Sequence, residues 1–189
     1  MRRDNYILGY LAYYQTTQRA YYGGLLLTDV RGIPQEFRHS EGIKPSRLQI
    51  ALYGDTLDTS VGSDALAPAL YEALLTKPDL LLIDTGGKIL FGPFLHAHRP
   101  AALLVPLDDP DKAFADSLSL DGNLLHAQDF DYKGSSSERI YAYIEEDHGL
   151  CVAGSALEMA QKTMNLISPF DRIRSILAEI AQAEQGRKA

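Results

Sequence analysis

The run Lys77–Phe94, KPDLLLIDTGGKILFGPF, constrains the chain more than any other stretch. Its apolar residues Leu80–Ile83 are consecutive, without the alternation of a half-exposed strand. A short apolar run of this kind, entered through Pro78 and closed by an acid and a glycine pair, reads as a strand covered on both faces. Residues 101–107, AALLVPL, repeat the pattern. Strands buried in this way belong to sheets flanked by helices, so the expected class is α/β.

The sheet begins earlier. Residues 6–14 (YILGYLAYY), 21–30 (YYGGLLLTDV) and 34–42 (PQEFRHSEG) read as three strands with short connections, an antiparallel meander. Pro34 belongs at a strand start, where no ladder donor is needed. Helix signals follow. Ser46 and Gln49 have capping-box spacing, Leu48, Leu52 and Tyr53 share a face, and Gly54 ends or bends the helix. Ser63 is placed to cap a second helix whose stripe is Leu66, Leu70 and Leu74 with Ala67 and Tyr71. FGPFLHAHRP, residues 91–100, is too short for a long helix, and the acidic stretch 108–122 reads as a surface helix or loop. NLLHAQDF, RIYAYIEE and GLCVAG read as further strands. Ser155 with Glu158 makes another capping box, and Ser168-Pro169 opens a last helix with Ile173, Ile176, Leu177 and Ile180 on one face. The expectation is one domain over residues 1–189, with a core at 6–167 and a C-terminal amphipathic helix at 168–184.

Composition excludes several classes. At 189 residues, 46% apolar and 23% charged, the chain is an ordinary globular one. No apolar run approaches the ~20 residues of a membrane span. No signal peptide is read at the N-terminus, so a cytoplasmic location is expected. The single cysteine, Cys151, leaves no internal disulfide and no cysteine-based zinc site. Net charge is −7 and uneven. Residues 1–50 carry seven Lys/Arg against four Asp/Glu, and residues 51–133 carry five against thirteen. That acidic middle disfavours a broad nucleic-acid surface, because phosphate binding rests on clustered cations.

Asp84 has two readings. Glycines between apolar runs signal a hairpin, in which Asp84 would be a shoulder residue satisfying turn amides. Alternatively, it is a catalytic carboxylate at the end of a buried strand. The order of elements and the residues Pro78-Asp79-Leu80-Leu81-Leu82-Ile83-Asp84, with GGLLLTDVRGIPQEFRHSEGI before them, support the second. Over residues 6–107 the chain resembles the RNase H-like nucleases, in particular endonuclease V and the nuclease half of the bacterial excision-repair C subunit. The resemblance implies an RNase H-like core in which Asp84 is a metal-binding acid. It also implies an Asp in the middle of the first strand, so that two carboxylates share Mg²⁺. Here that strand, YILGYLAYYQ, has no acid. Asp29 and Glu36 are the candidates to compensate, with Mg²⁺ or Mn²⁺ as the ion. The Asp-Thr-Gly at 84–86 also occurs in aspartic proteases, but those need two such carboxylates and are built almost wholly of strands.

Two further features are candidates. His96 and His98 would point the same way on an extended segment and form a metal pair. Tyr6, Tyr10, Tyr13, Tyr14, Tyr21 and Tyr22 crowd the first 22 residues. On strands, adjacent pairs such as Tyr13-Tyr14 must face opposite ways, which favours an amphipathic contact surface. No complete catalytic constellation assembles. The expected function is therefore a non-catalytic protein-binding subunit, with a partner protein or homo-oligomer and no cofactor. The alternative is a metal-dependent nuclease using Asp84.

Overall fold

A computed structural model describes residues 5–98, 100–106, 125–131, 139–145 and 150–186. The N-terminal meander is present as β1 (Ile7–Gln15), β2 (Tyr21–Asp29) and β3 (Pro34–His39), paired antiparallel in that order. Two buried strands follow, β4 (Leu80–Asp84) and β5 (Ala101–Pro106), parallel to β1 and to each other. A hairpin-like pair, β6 (Leu125–Asp131) and β7 (Arg139–Glu145), is added antiparallel at the far side. The seven strands lie in the order β3-β2-β1-β4-β5-β7-β6. This mixed sheet, opening on an antiparallel three-strand meander, is the α/β class expected. Stretch 108–122, predicted as a surface helix or loop, lies outside the described residues.

Helices cover both faces of the sheet. On one face lie α1 (Arg47–Tyr53) and a helical run made of α2 (Leu57–Thr59), a π-type segment at Ser60–Leu66 and α3 (Ala67–Glu72). The same face carries α4 (Lys88–Ala97). On the other lie α5 (Leu150–Ala160) and α6 (Ser168–Gly186). Alternation along β1 feeds both sides: Leu8, Tyr10 and Ala12 join the core under α5 and α6, while Leu11 joins the core under α2 to α4. All nine residues of β2 are buried, including the glycine pair. A Cβ at Gly24 would lie 2.6 Å from Ile173 Cγ2, so glycine there sets how closely α6 can approach. Phe170, Ile173, Leu177 and Ala181 form the buried stripe of α6. The stripe packs on the chain's own sheet, and Ile176 is left half exposed at the margin. Among the described residues no helix is long and apolar enough to cross a membrane.

Three expected elements differ. Residues 150–154 of GLCVAG are helical and open α5, so Ser155 lies inside that helix and does not cap it. A continuous apolar run fits a buried helix as well as a buried strand. Here Ala153, Ala156, Leu157 and Ala160 form a helical stripe on the sheet. Ser63 likewise lies within the π-type segment, where its hydroxyl donates to the Leu90 carbonyl at 2.6 Å. The wider turn carries the Ala67 N–H to the Gly62 carbonyl, five residues back, just before Pro68, which has no N–H to give. Finally, β4 does not turn into a hairpin. It runs into a 3₁₀ turn at Thr85–Gly87 and then into the ten-residue α4.

Candidate functional site

Asp84 is brought to its place by β4. Pro78-Asp79 set the start of that strand: the Ile7 N–H donates to Asp79 Oδ2 at 2.9 Å, and the Asp79 N–H to the Ile7 carbonyl at 2.8 Å. Alternation then sends Leu80, Leu82 and Asp84 to the α5–α6 face, and Leu81 and Ile83 to the other. Asp84 is buried at the C-terminal end of the strand. Its Oδ1 accepts the Gly87 N–H at 3.0 Å, and its Oδ2 accepts from the Arg174 guanidinium of α6. Gly86 leaves space for that guanidinium, since a Cβ there would stand 3.2 Å from Arg174 Nη2. Arg174 is also 3.9 Å from the exposed carboxylate of Asp171. Asp84 therefore does the work of a turn shoulder and, at the same time, half of an ion pair that ties α6 to the sheet.

The facing position on β1 is apolar. Leu8 pairs with Leu80 and Tyr10 with Leu82. Carried two residues further, that register sets Ala12 level with Asp84. Ala12 is fully buried. Tyr13, beside it, has its phenol pushed up, chiefly by burial and then by Asp58.

The other candidate acids are elsewhere. Asp29 ends β2 opposite Ile7, at the start of β1. Five residues of strand separate that level from Ala12, roughly 16 Å at the usual rise, too far for Asp29 and Asp84 to share one ion. Asp29 instead closes the β2–β3 turn. It accepts the Arg31 and Ile33 N–H groups at 2.8 and 3.0 Å and pairs with the Arg31 side chain at 2.7 Å. Burial works against its charge, but these amides and the guanidinium outweigh it and hold the carboxyl below the usual range. Glu36, on β3, accepts the Leu75 and Thr76 N–H groups at 3.0 and 3.3 Å and bonds Arg38 at 2.8 Å. The Leu75 amide is the main cause of its lowered pKa. Both acids latch loops.

His96 and His98 fall on α4 and just after it, on a helical stretch and not an extended one. The expected pair needs an extended segment, where alternate side chains point the same way, but the backbone is helical up to Ala97. The His98 ring stacks on Phe94 with centroids 3.9 Å apart, and its Nδ1 lies 2.9 Å from the Phe94 carbonyl oxygen. Among the described residues, no group of three or more His, Cys, Asp or Glu side chains is placed to hold a metal ion.

The tyrosines are mostly interior. Tyr6, Tyr10, Tyr21 and Tyr22 are buried, and Tyr13 and Tyr14 are partly buried against the two cores. The reading as an exposed contact surface is corrected for a simple reason: adjacent tyrosines do face opposite ways, but both faces are covered. Tyr21 reaches Asp58 on one side, and Tyr22 donates to Glu184 of α6 at 3.0 Å on the other. Tyr10 packs edge-on to Phe170, centroids 5.2 Å apart, and burial pushes its phenol up.

The five strands β3-β2-β1-β4-β5 form a mixed sheet with helices on both faces. The sequence matches no protein-family model and no curated protein. In three dimensions the chain is similar to Ciona intestinalis endonuclease V (D234N), solved in complex with a 23mer DNA containing an inosine followed by a ribo-adenosine. The TM-score is 0.51 at 10% identity, over 97% of this chain and 91% of that one. The chain shares its fold with endonuclease V. The catalytic domain of human endonuclease V aligns at a TM-score of 0.48 and 10% identity, over 96% of this chain and 85% of that one. The RNase H-like fold expected from residues 6–107 is present.

That fold implies a divalent metal, and the residues at the end of β4 do not fit one. Mg²⁺ needs several hard oxygen ligands in near-octahedral array. Among the described residues, the side chains at this point offer the buried carboxylate of Asp84, a methyl group at Ala12 and a cation at Arg174, which stands between Asp84 and the exposed carboxylate of Asp171. Arg174 is the residue that sequence reasoning missed. Its partner is 90 positions away, and no local pattern marks it.

Proposed function

We propose that the chain is a non-catalytic, protein-binding component of a cytosolic assembly, a nuclease-like fold kept for its surface and not for cleavage. One observation carries this reading. Where a metal-binding pair of acids is expected, Ala12 faces Asp84, and the Asp84 carboxylate is already taken by Arg174 and the Gly87 amide. A guanidinium bonded to a buried carboxylate both neutralises it and occupies the direction from which a cation would bind. The alternative, a metal-dependent nuclease using Asp84 with Mg²⁺ or Mn²⁺, would need Asp29 or Glu36 as helpers, and both are engaged in loop amides.

The test incubates purified protein with Mg²⁺ or Mn²⁺ and single- or double-stranded DNA and RNA, beside Asp84→Asn. No cleavage above buffer is expected from either protein. Cleavage by the wild type that Asp84→Asn abolishes would overturn the reading. A separate readout is Mn²⁺ binding by electron paramagnetic resonance. The wild type should bind no ion at Asp84, whereas Ala12→Asp/Arg174→Ala, which restores the second acid and removes the internal cation, should acquire a site. Native co-purification with a stoichiometric partner is expected of a subunit.

A further inference from the structure

The helix α1 is built the wrong way round for a core element. Its sequence, RLQIALY, has five apolar residues in seven, yet none of them is buried. Ile50 alone packs inward against the core, partly buried. Leu48 and Leu52 are 68% and 72% exposed, and Tyr53 is 45% exposed. Leu48 and Leu52 are one helical turn apart and share a side, about 200° around the helix from the direction of Ile50.

The helix is nevertheless well formed. The Gln49 N–H donates to Ser46 Oγ at 3.2 Å, and the Ser46 N–H to Gln49 Oε1 at 2.8 Å. Gly54, at φ +50°, ends it by donating to the Ile50 carbonyl. The entry is pinned by Ile43, whose N–H and carbonyl pair with Tyr21 of β2 at 2.9 and 2.8 Å. Local caps and one anchored isoleucine hold a short helix with its leucines in water. Each leucine forgoes most of the burial that an apolar side chain gains in a core.

The charges around it complement themselves. Arg47, with Lys44 just before it, is exposed at the N-terminal end of α1, and Asp55 is exposed just past the C-terminal end. We propose that α1 is a self-association surface, on which two copies of the chain pair through antiparallel α1 helices related by a two-fold axis. Leu48 of one copy then packs against Leu52 of the other, and Arg47 of one faces Asp55 of the other. A two-fold axis makes each contact twice, and the antiparallel helix dipoles add to the attraction. A second copy suits this face better than an acidic or a basic partner, because the two ends carry opposite charges. The patch is a few side chains of one short helix, so the contact is a weak one and the dimer concentration-dependent. This inference goes beyond the proposed binding role and stands whether or not the chain cleaves nucleic acid, since no residue of the Asp84 site enters it.

Sedimentation velocity over a wide concentration series tests it. The wild-type mass should rise from one chain toward two. Leu48→Glu/Leu52→Glu should remain monomeric throughout, with unchanged far-UV circular dichroism because both side chains are exposed. Arg47→Asp should weaken the dimer at least ten-fold, and Arg47→Asp/Asp55→Arg should restore it. A wild type that stays monomeric, or a dimer indifferent to the leucine pair, would overturn the proposal. So would failure of the charge swap to restore what Arg47→Asp removes.

Discussion

Replacing Arg174 by methionine isolates the ion pair at the end of β4. The substitution keeps most of the side-chain stem and, among the described residues, leaves the Asp84 carboxylate with the Gly87 amide. Removing one partner from a fully enclosed ion pair costs about 3–5 kcal/mol, because the remaining charge has neither water nor counter-charge. Here the Asp84 side chain is 10% exposed and that of Arg174 31% exposed, so water can reach the side the guanidinium vacates. The expected cost is therefore lower, about 2 kcal/mol, or a fall of about 4–8 °C in the thermal midpoint for a chain of this size. Asp84→Asn keeps an acceptor for the Gly87 amide and leaves the more exposed arginine beside Asp171, so about 1 kcal/mol is expected. The double variant should cost about 2 kcal/mol, less than the two single changes together, a coupling of about 1 kcal/mol. Urea unfolding followed by far-UV circular dichroism measures all four proteins. Additive single costs, with the double variant near 3 kcal/mol, would show that the two side chains do not stabilise one another and would refute the account of α6 docking.

Two more outcomes follow from the packing and the charges. Gly62→Ala should destabilise by about 3 kcal/mol in the same unfolding assay, since its Cβ would stand 2.4 Å from the Leu90 carbonyl oxygen, a backbone atom that cannot swing aside. Asp29 and Glu36 have carboxyls held below the usual range in the folded chain, so the unfolded chain protonates first on acidification. Their contribution is present above the ordinary carboxyl range near pH 4 and is lost as pH falls through the lower folded values. Asp29→Asn/Glu36→Gln should flatten that acid limb of urea midpoint against pH, and a limb as steep as that of the wild type would count against the assignment.

Much of the architecture was legible because it is written locally. The meander shows in three β-rich runs with short connections, and β4 and β5 in unalternating apolar runs. The start of α1 shows in a four-residue capping box. The residues that resemble the RNase H-like nucleases led to the right fold even at a structural identity of 10%. Where local pattern is ambiguous, the reading strayed. GLCVAG fits a buried strand or a buried helix equally well, and glycines after a strand fit a hairpin as well as a turn into a helix.

The sequence by itself determined most of the strands, the Ser46 cap and the position of Asp84 at the end of a buried strand, since these depend on neighbours within a few residues. Only the tertiary structure decided what covers each face: that the paired tyrosines meet core on both sides, that the leucines of α1 meet none, and that Asp84 meets Arg174. Periodicity says which side chains point together, but not what stands opposite them, because that contact is made by chain far away in sequence.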